Sequence, residues 1–370
     1  MRERALAITG RGIVSALGHT VADFARAIFE GRSAIVDIAD RGLGLRFPNG
    51  APILDFDPVA HFDERSRVML DRFSQFAAVA ARQAWAESGL DRAGIDGRRL
   101  AVVIGTANAG IDTLDVGFRR IFKAAQRPHP LTIPQNMGSA PASRVAREIG
   151  AHGPVFGVTS ACASAAHAIL IGADLIRAGR ADVAVVGGTD SCYCEGFLRA
   201  WDSLRVVSPD TCRPFSADRR GLVVGEGAAM LVLESGDHAA RRGARPLARY
   251  LGGGLTSDAG DLVAPDPVGM AAAIRGALAD ADVAAEAIDY VNAHGTGTLA
   301  NDKAEAAALV DVFAERAGRL AVSSTKSMVG HAMGASGAIE AIATLAAIEH
   351  GIVPPTMNWL GPDPDIAIDP

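Results

Sequence analysis

Short apolar runs alternate with helix-length segments along this whole chain, and that alternation is the strongest limit on what it can fold into. Leu100–Gly105, Val183–Gly187 and Ala228–Leu233 have the length and apolar content of buried strands. Val21–Glu30, Phe76–Gly89, Ala271–Ala281 and Asp302–Arg316 read as helices. Strands without polar alternation need cover on both faces, and interleaved helices supply it. The expected class is α/β with buried, mostly parallel strands. With 370 residues, 49% of them hydrophobic, the chain has material for a large core and about two domain-sized units.

Three segments carry chemistry. Cys162 lies in Gly157-Val158-Thr159-Ser160-Ala161-Cys162-Ala163-Ser164-Ala165-Ala166-His167, where a buried strand read over Pro154–Val158 meets a small-residue helix over Ala163–Ile176. A thiol in the first turn of that helix faces unpaired N–H groups and the positive end of the dipole, and both favour the nucleophilic thiolate. Ala161, Ala163 and Ser164 leave room for a substrate at the sulfur. Taken alone, the segment fits a small core cysteine as well. The second segment, Asn292-Ala293-His294-Gly295-Thr296-Gly297-Thr298, follows strand-like Tyr290-Val291 and leads into a helix through Asn301-Asp302-Lys303-Ala304-Glu305. The third runs from Ser323 to Gly337 after a strand at Leu320–Val322, contains Lys326 and His331, and enters an apolar helix ending near His350. A cysteine with two histidines, each on a glycine-rich strand-to-loop edge, is what acyl transfer through a thioester requires. No acidic metal-ligand pattern lies beside either histidine.

These segments closely resemble the β-ketoacyl-[acyl-carrier-protein] synthases of the elongating type, whose hallmark is a Cys-His-His set with a lysine. The resemblance runs from Ala7-Ile8-Thr9-Gly10-Arg11-Gly12 to Pro354-Pro355-Thr356-Met357-Asn358 and includes Cys212-Arg213-Pro214-Phe215-Ser216-Ala217-Asp218-Arg219 and Gly225-Glu226-Gly227-Ala228. It implies the thiolase fold, two similar halves in a five-layer αβαβα arrangement. The nucleophile would come from residues 1–245 and the His and Lys residues from 246–370, with Gly252-Gly253-Gly254 on the first strand of the second half. It also implies roles. Cys162 would hold the acyl group, His294 and His331 would donate ring N–H groups to charge developing on a malonyl thioester, and Lys326 would fix the local charge. Glu340, a carboxylate in an otherwise apolar helix, must be paired to survive burial and takes a supporting role. Thr296 and Thr298 match positions that contact the phosphopantetheine arm, with a plain turn role equally open. Asp302 and Glu305 open a helix, where capping explains them as well as function does.

Composition removes several rivals. The net charge of −6 implies no basic face for nucleic acid. No uncharged apolar run reaches the roughly 18 residues of a membrane span, and Met1-Arg2-Glu3-Arg4 leads straight into strand-like Ala5–Thr9 without the apolar region of a signal peptide. Cys162, Cys192, Cys194 and Cys212 form no CxxC pair, so reduced thiols in the cytoplasm are expected. No cofactor or metal is implied.

Acyl carrier protein is the implied partner, in a homodimer or a ketosynthase-type heterodimer. Because such carriers are acidic, a local basic patch is expected, from Arg65, Arg67 and Arg72 or from Arg119, Arg120 and Lys123; a solvated helix face explains either cluster too. Relatives continue for about forty residues beyond the Pro-Pro-Thr-Met-Asn segment, through a Gly-Phe-Gly-Gly turn between two strands that completes an oxyanion hole. The turn does not occur here, so the C-terminal strands of the second half are expected to be missing. A non-catalytic or impaired ketosynthase-like partner subunit of a heterodimer is the alternative: the retained Cys162, His294, Lys326 and His331 argue against it, and the missing turn argues for it. A thiolase would carry a second cysteine near its C-terminus, and an initiating synthase a Cys-His-Asn set; neither occurs.

Overall fold

The computed structural model describes residues 6–261 and 263–370; the N-terminal residues Met1–Ala5 of the expected leaderless start lie outside the described residues. The strands are β1 (Leu6–Ser15), β2 (Val36–Asp37), β3 (Asn49–Gly50), β4 (Leu100–Gly105), β5 (Val155–Val158), β6 (Val183–Asp190), β7 (Gly227–Ser235), β8 (Ala248–Tyr250), β9 (Tyr290–Asn292) and β10 (Ala321–Ser323). Six of them form one sheet in the order β5-β4-β6-β7-β1-β8.

Only part of this sheet is parallel. β5, β4 and β6 run together, whereas β7, β1 and β8 pair antiparallel. Crossover helices return the chain for the parallel strands; between β6 and β7 it instead wanders through residues 191–226 and re-enters from the other end. Central strands β4, β6 and β7 are almost wholly buried, as their continuous apolar sequences require. Strand β5 departs from the expected buried strand. It lies at the sheet edge, pairs on one side only, and leaves Phe156 36% exposed.

Helices cover both faces. Arg72–Ser88 and Ala140–Ile149 pack on one side, around Phe76, Ala80 and Ala84. Asp71 caps the first of these by accepting the Phe73 N–H, and left-handed Gly89 ends it. It lies so close to β1 that a Cβ at Gly10 or Gly12 would stand 2.0 Å from the carbonyl oxygens of Ala84 or Ala80. Fully burying Phe73 and Phe76 stabilises this layer by about 1.5–3 kcal/mol each. On the opposite face Ser164–Arg177 and Ser336–His350 form the second covering layer.

Beyond that pair of helices lies the second sheet. Among the described residues it consists of parallel β9 and β10, with Val291 opposite Val322. Helices Pro267–Ala281 and Leu299–Phe313 close its outer side through Ile274, Leu309 and Phe313. The order helix, sheet, helix, sheet, helix is that of a thiolase-type α/β fold. Gly252-Gly253-Gly254 is not on a strand: β8 ends at Tyr250 as the edge of the first sheet, and the glycines continue as irregular chain. There a Cβ at Gly254 would meet the Ala273 carbonyl at 2.0 Å, so close helix approach accounts for that glycine. Among the described residues no helix is long and apolar enough to cross a membrane.

Candidate active site

The first sheet delivers the thiol. Strand β5 ends at Val158, the chain turns through Thr159–Ala163, and the helix begins at Ser164 with Ala163 as its cap residue. Cys162 therefore stands just outside the first turn that the sequence pattern assigned to it. Ala161, immediately before it, has φ +50°, a left-handed conformation that costs a non-glycine residue about 1–3 kcal/mol. Ser164 holds the turn in place. Its hydroxyl accepts the Ser160 N–H at 2.9 Å and donates to the Ala161 carbonyl at 2.7 Å. The sulfur is thus lifted clear of the sheet between exposed Ala161 and Ala163.

The second half brings the other groups to the same point. Donor atoms of Cys162, His294 and His331 lie within 4.8 Å of one another. The two imidazoles meet edge to face at 5.3 Å. His331 Nε2 is 3.1 Å from Cys162 Sγ, while His331 Nδ1 faces the Met333 N–H at 3.0 Å and the Ser336 hydroxyl at 3.1 Å. A backbone amide only donates, so Nδ1 must be the acceptor and the single proton of a neutral ring sits on Nε2. Neutrality follows from the surroundings, since burial and the Lys326 charge push His331 well below the usual imidazole range. His294 is pushed down by burial, Lys326 and His331. Both rings are held neutral, and His331 presents its Nε2–H to the sulfur. Holding a metal between the three residues would require the Nε2 lone pair that the Met333 amide denies to His331.

Burial pushes the Cys162 thiol up, and the Lys326 charge only partly opposes it. Lys326 and a backbone hydrogen bond at Cys162 pull it back, and the Nε2–H of His331 faces the sulfur at 3.1 Å. That lysine is 1% exposed, and its ammonium pairs with Glu340. Burial raises the Glu340 carboxyl, with Lys326 pulling it back. The ion pair expected from the apolar helix is present, with Lys326 as the partner.

Three carboxylates hold the loops of the site, where the sequence pattern gives helix capping for Glu305 and Asp302 and no role for Asp190. Glu305 accepts the N–H groups of His294 at 2.6 Å and Gly295 at 2.7 Å, gripping the histidine loop from the next helix; burial lifts it to about 7. Asp302, fully buried, takes the N–H of Phe215 at 2.8 Å and of Gly297 at 3.2 Å, so the Cys212–Arg219 motif is a wall against the same loop. The third, Asp190, ends β6 and is fully buried. The signal that singles it out is an acid closing the apolar run Val183–Thr189. The Gly225-Glu226 motif also positions the site. Gly225 N–H donates to the His331 carbonyl at 2.9 Å, and His331 N–H donates to Val223 at 2.7 Å.

Thr296 and Thr298 hydroxyls lie 2.8 Å apart, and Thr298 caps the Leu299–Phe313 helix through the Asn301 N–H. The expected basic patches are partly spent internally. Arg72 pairs with Glu226 and stacks on Phe76, while Arg119 and Lys123 both reach Glu195. Cys192 and Cys212 are buried, Cys194 stands at the N-cap position of Glu195–Leu204 with its thiol toward the Ile111 carbonyl, and burial pushes all three thiols up. A cleft of about 890 Å³ is lined by Ala163, Ala166, Val291 and Ala341 but by none of Cys162, His294 or His331.

An α/β fold of thiolase type with a thiol beside two neutral imidazoles and a buried lysine defines the ketosynthase class of acyltransferases. The chain belongs to the β-ketoacyl synthase family: that family's N-terminal domain matches residues 3–239 and its C-terminal domain residues 247–359. It is 45% identical over 369 residues to Nodulation protein E of Rhizobium sp. (strain N33), covering 99% of this chain and 92% of the relative. It is 36% identical to 3-oxoacyl-[acyl-carrier-protein] synthase 2 of Coxiella burnetii (strain RSA 493 / Nine Mile phase I), covering 100% and 92%. Among solved structures, the ishigamide ketosynthase/chain length factor superposes with a TM-score of 0.94 at 36% identity, covering 100% of this chain and 92% of that one.

Proposed function

We propose that this chain is a 3-oxoacyl-[acyl-carrier-protein] synthase that joins an acyl group to malonyl carried on acyl carrier protein, in fatty-acid or polyketide-type synthesis. The Cys162 thiolate attacks the acyl thioester, expels the carrier thiol and becomes acylated. The malonyl C–CO₂⁻ bond then breaks, CO₂ leaves, and the electron pair moves onto the thioester oxygen as an enolate. The enolate carbon attacks the Cys162 thioester carbonyl, and collapse of the adduct expels the thiolate and yields the 3-oxoacyl product. Ring N–H groups of His294 and His331 stabilise the enolate oxygen, and each such donor is worth about 2.7–4 kcal/mol in comparable sites.

The observation that carries this reading is the fixed Nε2–H of His331 at 3.1 Å from Cys162 Sγ. Two neutral donors beside a nucleophile suit a reaction that builds negative charge on oxygen. Incubation with acyl- and malonyl-acyl-carrier protein, followed by mass analysis, tests it. An acyl adduct on Cys162 and a product lengthened by two carbons are expected; no adduct and no product would overturn the reading.

The active unit is a dimer, with itself or with a ketosynthase-like subunit, acting in the cytoplasm. Support comes from the apolar surface of Phe118, Phe122, Ile133 and Met137 and the open edge of β5. Related solved structures are described as a ketosynthase with its chain length factor and as an acyl-carrier protein in complex with its ketosynthase. Exposed Arg65 and Arg120 and half-buried Arg67 are the remaining candidates from the two basic clusters for carrier-protein docking.

A further inference from the structure

We propose that Asp190 is a positioning residue that keeps His331 in its Nε2–H tautomer, by clamping the turn after His331 to the loop after β4. Its carboxylate accepts four hydrogen bonds and, among the described residues, forms no ion pair. Oδ1 takes the Thr106 hydroxyl at 2.9 Å and the Asn108 N–H at 3.0 Å; Oδ2 takes the N–H groups of Ala107 at 2.9 Å and Gly334 at 2.6 Å. Gly334 directly follows Met333, whose own N–H fixes the proton of His331.

Two further features make this clamp specific. Met333 has φ +49°, a left-handed conformation that a bulky residue keeps only when its neighbours enforce it. Gly334 has no room for a side chain, because a Cβ there would lie 2.6 Å from Asp190 Oδ2 and 2.4 Å from the Ala107 nitrogen. The turn is thus pressed against the carboxylate, and the Met333 amide can point only at Nδ1. If the clamp opens, Met333 relaxes, Nδ1 loses its obligatory donor, and the ring can carry its proton on either nitrogen. All four partners of Asp190 are donors, so the ionised carboxylate is the form that fits them. Burial raises it to about 6, which means the fold keeps a charge here against its solvation cost.

A purely structural cap would need only the Thr106, Ala107 and Asn108 contacts. The bond to Gly334 ties it to the chemistry, and the test reads that link directly. In full-length protein labelled with ¹⁵N-histidine, the ring nitrogen shifts of His331 report its tautomer without any substrate. This readout stands even if the proposed reaction fails; only the accompanying rate depends on that reading. Asp190→Asn sets an NH₂ against amide donors. It is expected to show mixed His331 tautomers and malonyl decarboxylation lowered by about 10²-fold, the size of loss a misplaced group causes, with circular dichroism unchanged. Thr106→Val, which removes one clamp bond and leaves the Thr106 carbonyl that accepts from Ser164 in place, is expected to shift both readouts in the same direction by less. A folded Asp190→Asn protein with a single Nε2–H tautomer and undiminished decarboxylation would overturn the proposal. If Asp190→Asn does not fold, Thr106→Val decides, and unaltered tautomer and rate in it would overturn the proposal equally.

Discussion

Replacing Lys326 with methionine keeps most of the side-chain volume and removes the charge from a residue that is 1% exposed. Glu340, whose side chain is 15% exposed, then loses its partner in an apolar helix. Removing one member of a buried pair costs about 3–5 kcal/mol, because the survivor remains in low dielectric. Removing both, as Lys326→Met with Glu340→Gln, is expected to restore most of that loss. The pH dependence follows from the carboxyl. Glu340 is already raised by burial, and Lys326 is what holds it down, so the single variant raises it further. A carboxyl whose folded pKa exceeds its unfolded value leaves stability intact below the unfolded pKa and loses it as pH rises through the folded one. The single variant should therefore be less stable at about pH 8 than at about pH 5, the direction set by a carboxyl that gains its proton more readily in the folded state. Urea unfolding followed by tryptophan fluorescence at both pH values measures this. Equal stability losses in the single and double variants, or a single-variant loss independent of pH, would refute the argument. The same change frees both imidazoles from the lysine charge that lowers them. Decarboxylation in the variant should therefore fall on the acid side, as the rings bind a second proton.

Cys162→Ala should abolish acyl loading seen by mass spectrometry, while Cys192→Ala, Cys194→Ala and Cys212→Ala retain it, since only Cys162 faces the two imidazoles. His294→Ala or His331→Ala should keep part of the self-acylation yet release CO₂ from malonyl-acyl-carrier protein about 10²–10³-fold more slowly, the loss expected for one oxyanion donor. Radiolabelled CO₂ release reads this, and wild-type release in both variants would make the histidines structural. Glu305, lifted to about 7, accepts two loop amides as a carboxylate, so wild-type decarboxylation should decline as pH falls through that value. In Glu305→Gln the rate should be lower throughout and lack this acid limb; an unchanged limb would assign it to another group.

Patterns local to the chain made the α/β class and the set of Cys162, His294 and His331 legible in the sequence, while Lys326 came with the resemblance to the β-ketoacyl synthases. Apolar runs mark strands because a central strand must bury both faces, and a small-residue turn after a strand marks a nucleophile because a bulky neighbour would cover it. Glu340 was legible for the same kind of reason: a carboxylate in an apolar helix must have a partner. Tertiary structure alone decided the rest. The direction of β7, β1 and β8 depends on how residues 191–226 return to the sheet, which no local pattern records. Strand β5 is apolar like a central strand, yet its position in the sheet order leaves one edge open. The thiol's balance also escaped local reading, because burial opposes the helix end and only the folded chain brings Lys326 and His331 to the sulfur. The tautomer of His331 and the grips of Glu305 and Asp190 are hydrogen-bond facts. They arise where segments far apart in sequence meet, so only the folded chain determines them.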